Sequence, residues 1–310
     1  MASSTNATTV HYGTTWDDAT LLEEIKQTGL ELEKNDGIKR HFRFDWQEVS
    51  KHNPGYLNFV EAERHRLGEA HPLFRSQYAL LPIRSGGGFL SRSQIGGMQG
   101  LHPRQRQRGD KGSIYVAGLD IAGESEVTEE LELTVRGRDA TVITIAEVIN
   151  QPDAAILQEP LIHVVEHYCW IGNRHAELYP KIVDLLRNTW GCSRVVVDAT
   201  GMGEAVASFL RGALGNRVVP FKFSQVSKSA LGFNLLAAVN SGRLKIYSQD
   251  GSQDHGELMF EMERARSVCR PNQTINFFVD PSEGHDDFLI SLALCVEAAS
   301  KAIPRKAVGR

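Results

Sequence analysis

The period of the apolar positions changes near residue 110. Before it they recur at helical spacing. "WDDATLLEEIKQTGLELEK" places Leu21, Leu22, Ile25, Leu30 and Leu32 near one helical stripe, and "GYLNFVEAERHRLGEAHP" predicts a second amphipathic helix, stopped by Pro72. Residues 1–85 therefore read as an α-rich unit. Over 86–111 the chain is glycine-rich and then basic, too irregular for helix or strand, which marks a linker. From residue 114 the period shortens: Ile114 to Ile121 reads as a strand, and "ATVITIAEVI" and "PLIHVVEHYCW" as two more, rich in β-branched and aromatic residues. No long helix separates these three, so they predict an antiparallel meander.

The pattern then alternates. Helix "HAELYPKIVDLLRNTW" precedes strand "RVVVDAT", helix "GEAVASFLRGAL", strand "RVVPFKF" and helix "SALGFNLLAAVNSG". Strands joined through helices run parallel, because a right-handed crossover packs back onto the sheet. The expectation is an α/β fold with a mixed sheet flanked by helices, spanning 112–303 and closed by helix "GELMFEMERARSV", a short strand "QTINFFV" and a last helix within "GHDDFLISLALCVEA". In that last helix Phe288, Leu292 and Val296 form the expected apolar face. Residues 304–310 read as a basic tail.

Composition narrows the class only modestly. A 310-residue chain with 41% hydrophobic residues can bury a full core, and a net charge of -4 predicts no general attraction to nucleic acid or anionic membrane. Cys169, Cys192, Cys269 and Cys295 are scattered without metal-finger spacing, which argues against a disulfide framework or structural zinc. The N-terminus lacks the order of a signal peptide, and no apolar run reaches membrane-span length. A soluble protein of a reducing compartment is expected.

The positions of the acids change the picture most. Asp120 ends the first strand, Asp198 ends the apolar "VVVD", and Asp286 and Asp287 open the last helix. Strand ends and helix starts border the ligand crevice of an open α/β sheet, so these positions could converge. Converging carboxylates repel unless a cation neutralises them. Oxygen ligands without a cysteine or dense histidine set suit Mg2+ or Mn2+, and two such ions support in-line hydrolysis of a phosphodiester. Taken singly, Asp198 also reads as a helix cap and the Asp286–Asp287 pair as favourable charge at a helix N-terminus.

The ordered set "YVAGLDIAG", "RDATVITIAEV", "VVVDATGMGEAV", "VVPFKFSQVSKSALGFNLLAAVNSGRLKIY" and "EGHDDFLISLAL" resembles the nuclease domain of the large terminase subunit of tailed bacteriophages, over about residues 112–300. The resemblance implies an RNase H-like fold and a two-metal endonuclease that cuts concatemeric double-stranded phage DNA during packaging. It implies Asp120, Asp198 and Asp287 as catalytic metal ligands, with Asp286 the close alternative to Asp287. His285 is an extra ligand or proton carrier, or else a solvent-facing loop residue. A portal protein and a small terminase subunit are the implied partners, and the cytoplasm of a bacterial host the implied location. "VHYGTTWDDATLLEEIKQ" and the stretch from "NPGYLNF" to "GGGFL" resemble the end of the terminase ATPase domain. No G-x-x-x-x-G-K-[ST] loop is present, so ATP hydrolysis is not expected of this chain. A C-terminal piece, a split gene product or a decayed prophage copy would each account for that.

Phosphate contacts are expected from Arg104, Arg106, Arg108 and Lys111, and from Lys222 and Lys228, giving salt-sensitive DNA binding of little sequence specificity; the arginine cluster reads equally as a solubilising linker. The acidic insertion with Glu124, Glu126, Glu129, Glu130 and Glu132 reads as a solvated hairpin or a screen over the site. Glu147 and Glu166 read as partly exposed strand residues or secondary ligands. Competing readings are a resolvase or transposase on a related fold, a sugar-kinase-like phosphotransferase, which lacks its second glycine-rich loop here, and a non-catalytic packaging module that binds portal or procapsid.

Overall fold

The computed structural model describes residues 9–83, 86–109, 112–121, 140–150, 159–173, 175–201 and 203–302. Lys111, the acidic insertion and the basic tail lie outside the described residues. Alternating apolar residues build the sheet. β1 (Ile114–Asp120), β2 (Ala140–Ile149) and β3 (Leu161–Ile171) form the antiparallel meander, while β4 (Arg194–Asp198) pairs parallel with β1 and β5 (Val218–Phe221) parallel with β4. A strand not anticipated, β6 (Leu244–Ile246), lies parallel to β3. The order β5-β4-β1-β2-β3-β6 is the mixed sheet expected of an RNase H-like fold.

Helices cover both faces. On one, Leu178 and Ile182 of α6 (His175–Asp184) and Val206 and Leu210 of α7 (Gly203–Leu214) meet Ala117, Leu119, Ile143, Val195 and Val197. On the other, α8 (Gln225–Asn240), α9 (Gln253–Arg264) and α10 (Asp287–Ser300) meet Val116, Val142, Ala146, Val164 and Val196. This division follows the period-two alternation of the strands. α10 is buried all round from Phe288 to Ala299, so the single apolar face expected at Phe288, Leu292 and Val296 is too narrow a reading. The helix lies between sheet and helices and has no solvent side there.

Gly118 explains how closely α10 sits on β1. A Cβ at this position would lie 2.1 Å from the carbonyl oxygen of Ser291 and 2.2 Å from the nitrogen of Cys295, so only a glycine admits the helix backbone. Ser291 Oγ donates to the Gly118 carbonyl at 3.0 Å and shares a 2.9 Å hydrogen bond with Thr144 of β2. Asp120, two residues on, shares the Gly118 face of the strand.

The N-terminal segment contains α1 (Leu21–Asp36), α2 (Trp46–Ser50), α3 (Pro54–Leu67) and α4 (Pro72–Gln77). Val60, Leu67 and Phe74 pack with Ala237 of α8 as a small core. Pro72 does not stop the preceding helix: α3 ends at Gly68, whose φ is 80°, and Pro72 takes the first position of α4, where its missing N–H costs nothing. Leu21 and Leu32 of α1 stay exposed.

Segment 86–111, expected to be irregular, contains α5 (Arg92–Met98). Ser91 and Gln94 form a reciprocal capping box, and Ile95 and Met98 are buried, so capping and burial outweigh the low helix propensity of its glycines. Arg266 to Val268, read as the end of a helix, belong instead to β7 (Arg266–Cys269), which pairs antiparallel with β8 (Ile275–Phe278) in a separate hairpin. Among the described residues no helix is long and apolar enough to cross a membrane.

Candidate metal centre

β1 and β4 are parallel neighbours with Leu119 paired to Val197, so Asp120 and Asp198 end adjacent strands one position beyond that pair. Both side chains alternate onto the face covered by α10. The connectivity switches at β1, which has an antiparallel neighbour on one side and a parallel one on the other. A crevice borders the carboxyl ends of the parallel pair β1 and β4. The N-terminus of α10 fills one side of it with Asp286, the N-cap, and Asp287, its first residue. A pocket of about 330 Å³ results, lined by Asp120, Ile121, Val279, Pro281, Gly284, His285, Asp286 and Asp287.

The pocket is electrostatically strained. Burial, and then repulsion from Asp287, Asp198 and Asp286, push the Asp120 carboxyl well above the usual carboxylate range. Burial also raises Asp198, against hydrogen bonds from Thr200 and the charge of Lys228, and raises Asp286, again against Lys228. Lys228 is thus the cation that acts on both. Its ammonium also lies 5.9 Å and 5.4 Å from the ring centres of Phe223 and Phe277.

As the side chains stand, no three acidic, histidine or cysteine groups among the described residues come together closely enough to hold one ion. Asp198 Oδ1 accepts the Thr200 N–H at 2.8 Å, and Asp287 Oδ2 accepts the Ala140 N–H at 2.8 Å. These backbone donors partly offset the charge of the two acids where no cation does so. The donor set itself is all oxygen with one flanking imidazole, which fits a hard divalent ion.

The expected phosphate contacts divide. Lys228 stands beside the acids, whereas Lys222 is exposed and paired with Glu204 at 2.8 Å. Arg104 departs from the expectation of a phosphate contact. Its side chain is only 7% exposed and bonds Glu166, Asp254 at 2.6 Å and the His167 carbonyl at 2.9 Å, because a buried guanidinium needs its charge and donors satisfied from within. Arg106 reaches Glu166 at 2.9 Å from a largely exposed position, and Arg108 is exposed. None of these three arginines lines the pocket. Glu166, read as partly exposed, is fully buried as their partner, while Glu147 accepts from Ser113 at 2.6 Å.

Glu261 of α9 was not anticipated. It is 1% exposed and accepts the Leu289 N–H at 2.8 Å, and burial pushes its carboxyl up to about 9. Its signal was faint but present: Leu258, Glu261 and Met262 fall at helical spacing on one buried face, where an acid is out of place.

Fold and site together define an RNase H-like α/β protein with an acidic crevice at its strand ends. Among solved structures the chain is similar to the large terminase nuclease of thermophilic phage G20c, determined with bound magnesium, at 20% identity over 66% of this chain and 95% of that one, TM-score 0.46. It is similar also to the large terminase nuclease domain of Thermus phage P74-26 (19% identity, 67% and 94% covered, TM-score 0.46). A third is the bacteriophage HK97 large terminase (13% identity, TM-score 0.45), where the match takes in 91% of this chain but 61% of that one. No family model matches the chain, and no curated protein matches it.

Proposed function

We propose that the chain is a metal-dependent endonuclease that hydrolyses double-stranded DNA during phage genome packaging. The observation that carries this reading is that Asp120, Asp286 and Asp287 line one crevice, where Asp120 is buried and repelled by both and by Asp198, which ends the neighbouring strand but does not line the pocket. Carboxylates held so close favour binding a cation over staying charged alone. Asp120, Asp198 and Asp287 would hold two Mg2+ or Mn2+ ions, with Asp286 the alternative to Asp287 and His285 at the rim. Bound there, the ions would supply Lewis acidity and a water of lowered pKa. Lys228 would hold a phosphate oxygen beside the acids, and His285, which lines the pocket, would carry a proton. Arg106, Arg108 and Lys222 can meet the DNA backbone farther out; Arg104 serves the interior. The packaging context, the portal and small-subunit partners, the host cytoplasm and the α-rich segment as the end of an ATPase domain rest on the ordered sequence motifs.

Purified protein with Mn2+ should nick supercoiled plasmid, and Asp120→Ala or Asp198→Ala should reduce nicking by at least about a hundredfold. Full activity in both variants would sink the assignment. The competing reading is a non-catalytic packaging module, since among the described residues no three acids stand close enough together to hold one ion. Calorimetric titration with Mn2+ separates the two, since that module would show no saturable binding.

A further inference from the structure

The first turn of a helix leaves backbone N–H groups without partners, and the N-cap side chain ordinarily accepts one of them. In α10 it does not: Asp286 occupies the N-cap position, yet its side chain makes no capping hydrogen bond. The Leu289 N–H goes instead to Glu261 Oε2 at 2.8 Å, a carboxyl brought in from α9 across 28 positions of sequence. Glu261 is 1% exposed, so water does not compete for that bond. α10 is therefore capped from outside. Its own two terminal aspartates are spared that task, and both line the pocket. Asp120 comes to the same place by another route, since Gly118 lets α10 lie directly on β1.

We propose that Glu261 is a positioning residue: by accepting the Leu289 N–H it fixes the first turn of α10 and so holds Asp286 and Asp287 toward the crevice for metal binding. The proposal rests on the metal-site reading above. Glu261 itself faces the helix backbone and does not line the pocket, so it acts through the aspartates and not on the substrate. What matters is the acceptor atom at the end of a side chain of this length. Glutamine preserves it, aspartate withdraws it by one methylene, and methionine fills the volume without it.

The test compares Glu261→Gln, Glu261→Asp and Glu261→Met with the unaltered protein in three measurements: Mn2+ affinity by titration calorimetry, plasmid nicking, and hydrogen exchange of the Leu289 amide without metal. Glu261→Gln should bind Mn2+ within about threefold of the unaltered protein and keep the Leu289 amide protected. Glu261→Met should bind at least about tenfold more weakly, in proportion to its loss of nicking, with fast exchange at Leu289. Glu261→Asp should fall between them, and it carries the test alone if the methionine variant does not fold. Wild-type affinity in Glu261→Asp and Glu261→Met would overturn the positioning role, as would a glutamine variant no better than methionine. Unaltered protein that binds no Mn2+ would overturn the metal-site reading first, and the positioning role with it.

Discussion

Asp120 ends a strand whose inner residues, Tyr115 to Leu119, are almost wholly buried, and it is held there with a carboxyl that resists ionisation. An acid with a raised pKa binds more protons folded than unfolded between its ordinary value and its raised one, so stability falls as pH rises through that interval. Asp120, Asp198, Asp286 and Glu261 are all raised, Glu261 from 4.5 to about 9. Below about pH 7 the buried His71 and His167, both held neutral, oppose this trend, so the melting temperature of protein kept in chelator should fall between about pH 7 and about pH 9, and Mn2+ should recover most of the loss, because it binds the ionised folded site. Scanning calorimetry across that range checks both halves; a flat profile refutes them. Asp120→Asn removes the most repelled charge. It should abolish nicking yet raise the melting temperature near pH 8 by about 2–4 °C, the equivalent of about 1 kcal/mol.

Among the elements, the pairing of β1 with α10 sets the site. Gly118→Ala would drive a methyl group into the backbone at Ser291 and Cys295. It should cost at least about 1–3 kcal/mol, as overpacking does, and weaken Mn2+ binding by lifting the α10 terminus from Asp120; denaturant unfolding and calorimetry would measure the two effects. Much of this framework was legible beforehand. β1 to β4 announce themselves by β-branched runs, and an acid closing an apolar strand, as at Asp120 and Asp198, stands out against its neighbours. What stayed hidden depends on contacts distant in sequence. β6 is three residues long and exists because Val164 and its neighbours offer it a ladder. α5 is invisible among glycines until Ile95 and Met98 find a core. Glu261 stands out only faintly, as an acid on an apolar helix face, because its partner, the Leu289 N–H, lies on another helix.

For the whole molecule, the stretch around Arg104 acts as a strap along the border of the sheet. Gly100 N–H donates to Ile246 at 2.7 Å and Gln105 N–H to Val165 at 2.9 Å, while the Arg104 guanidinium is locked among Glu166, Asp254 and the ring of Tyr247. Arg104→Ala would leave Glu166 buried without its nearest cation and should cost about 3–5 kcal/mol, with new proteolytic cleavage between residues 99 and 109. Arg106→Ala, which removes an exposed group, should cost under about 1 kcal/mol. Urea unfolding and limited proteolysis would read both. The sheet this strap borders has margins of only four residues at β5 and three at β6, and Pro220 removes a donor from β5. Short edges interrupted by proline offer little open backbone for another chain to extend. Both margins of this sheet are thereby guarded against fibril-like growth, so a second chain should not extend it by adding a strand at β5 or β6.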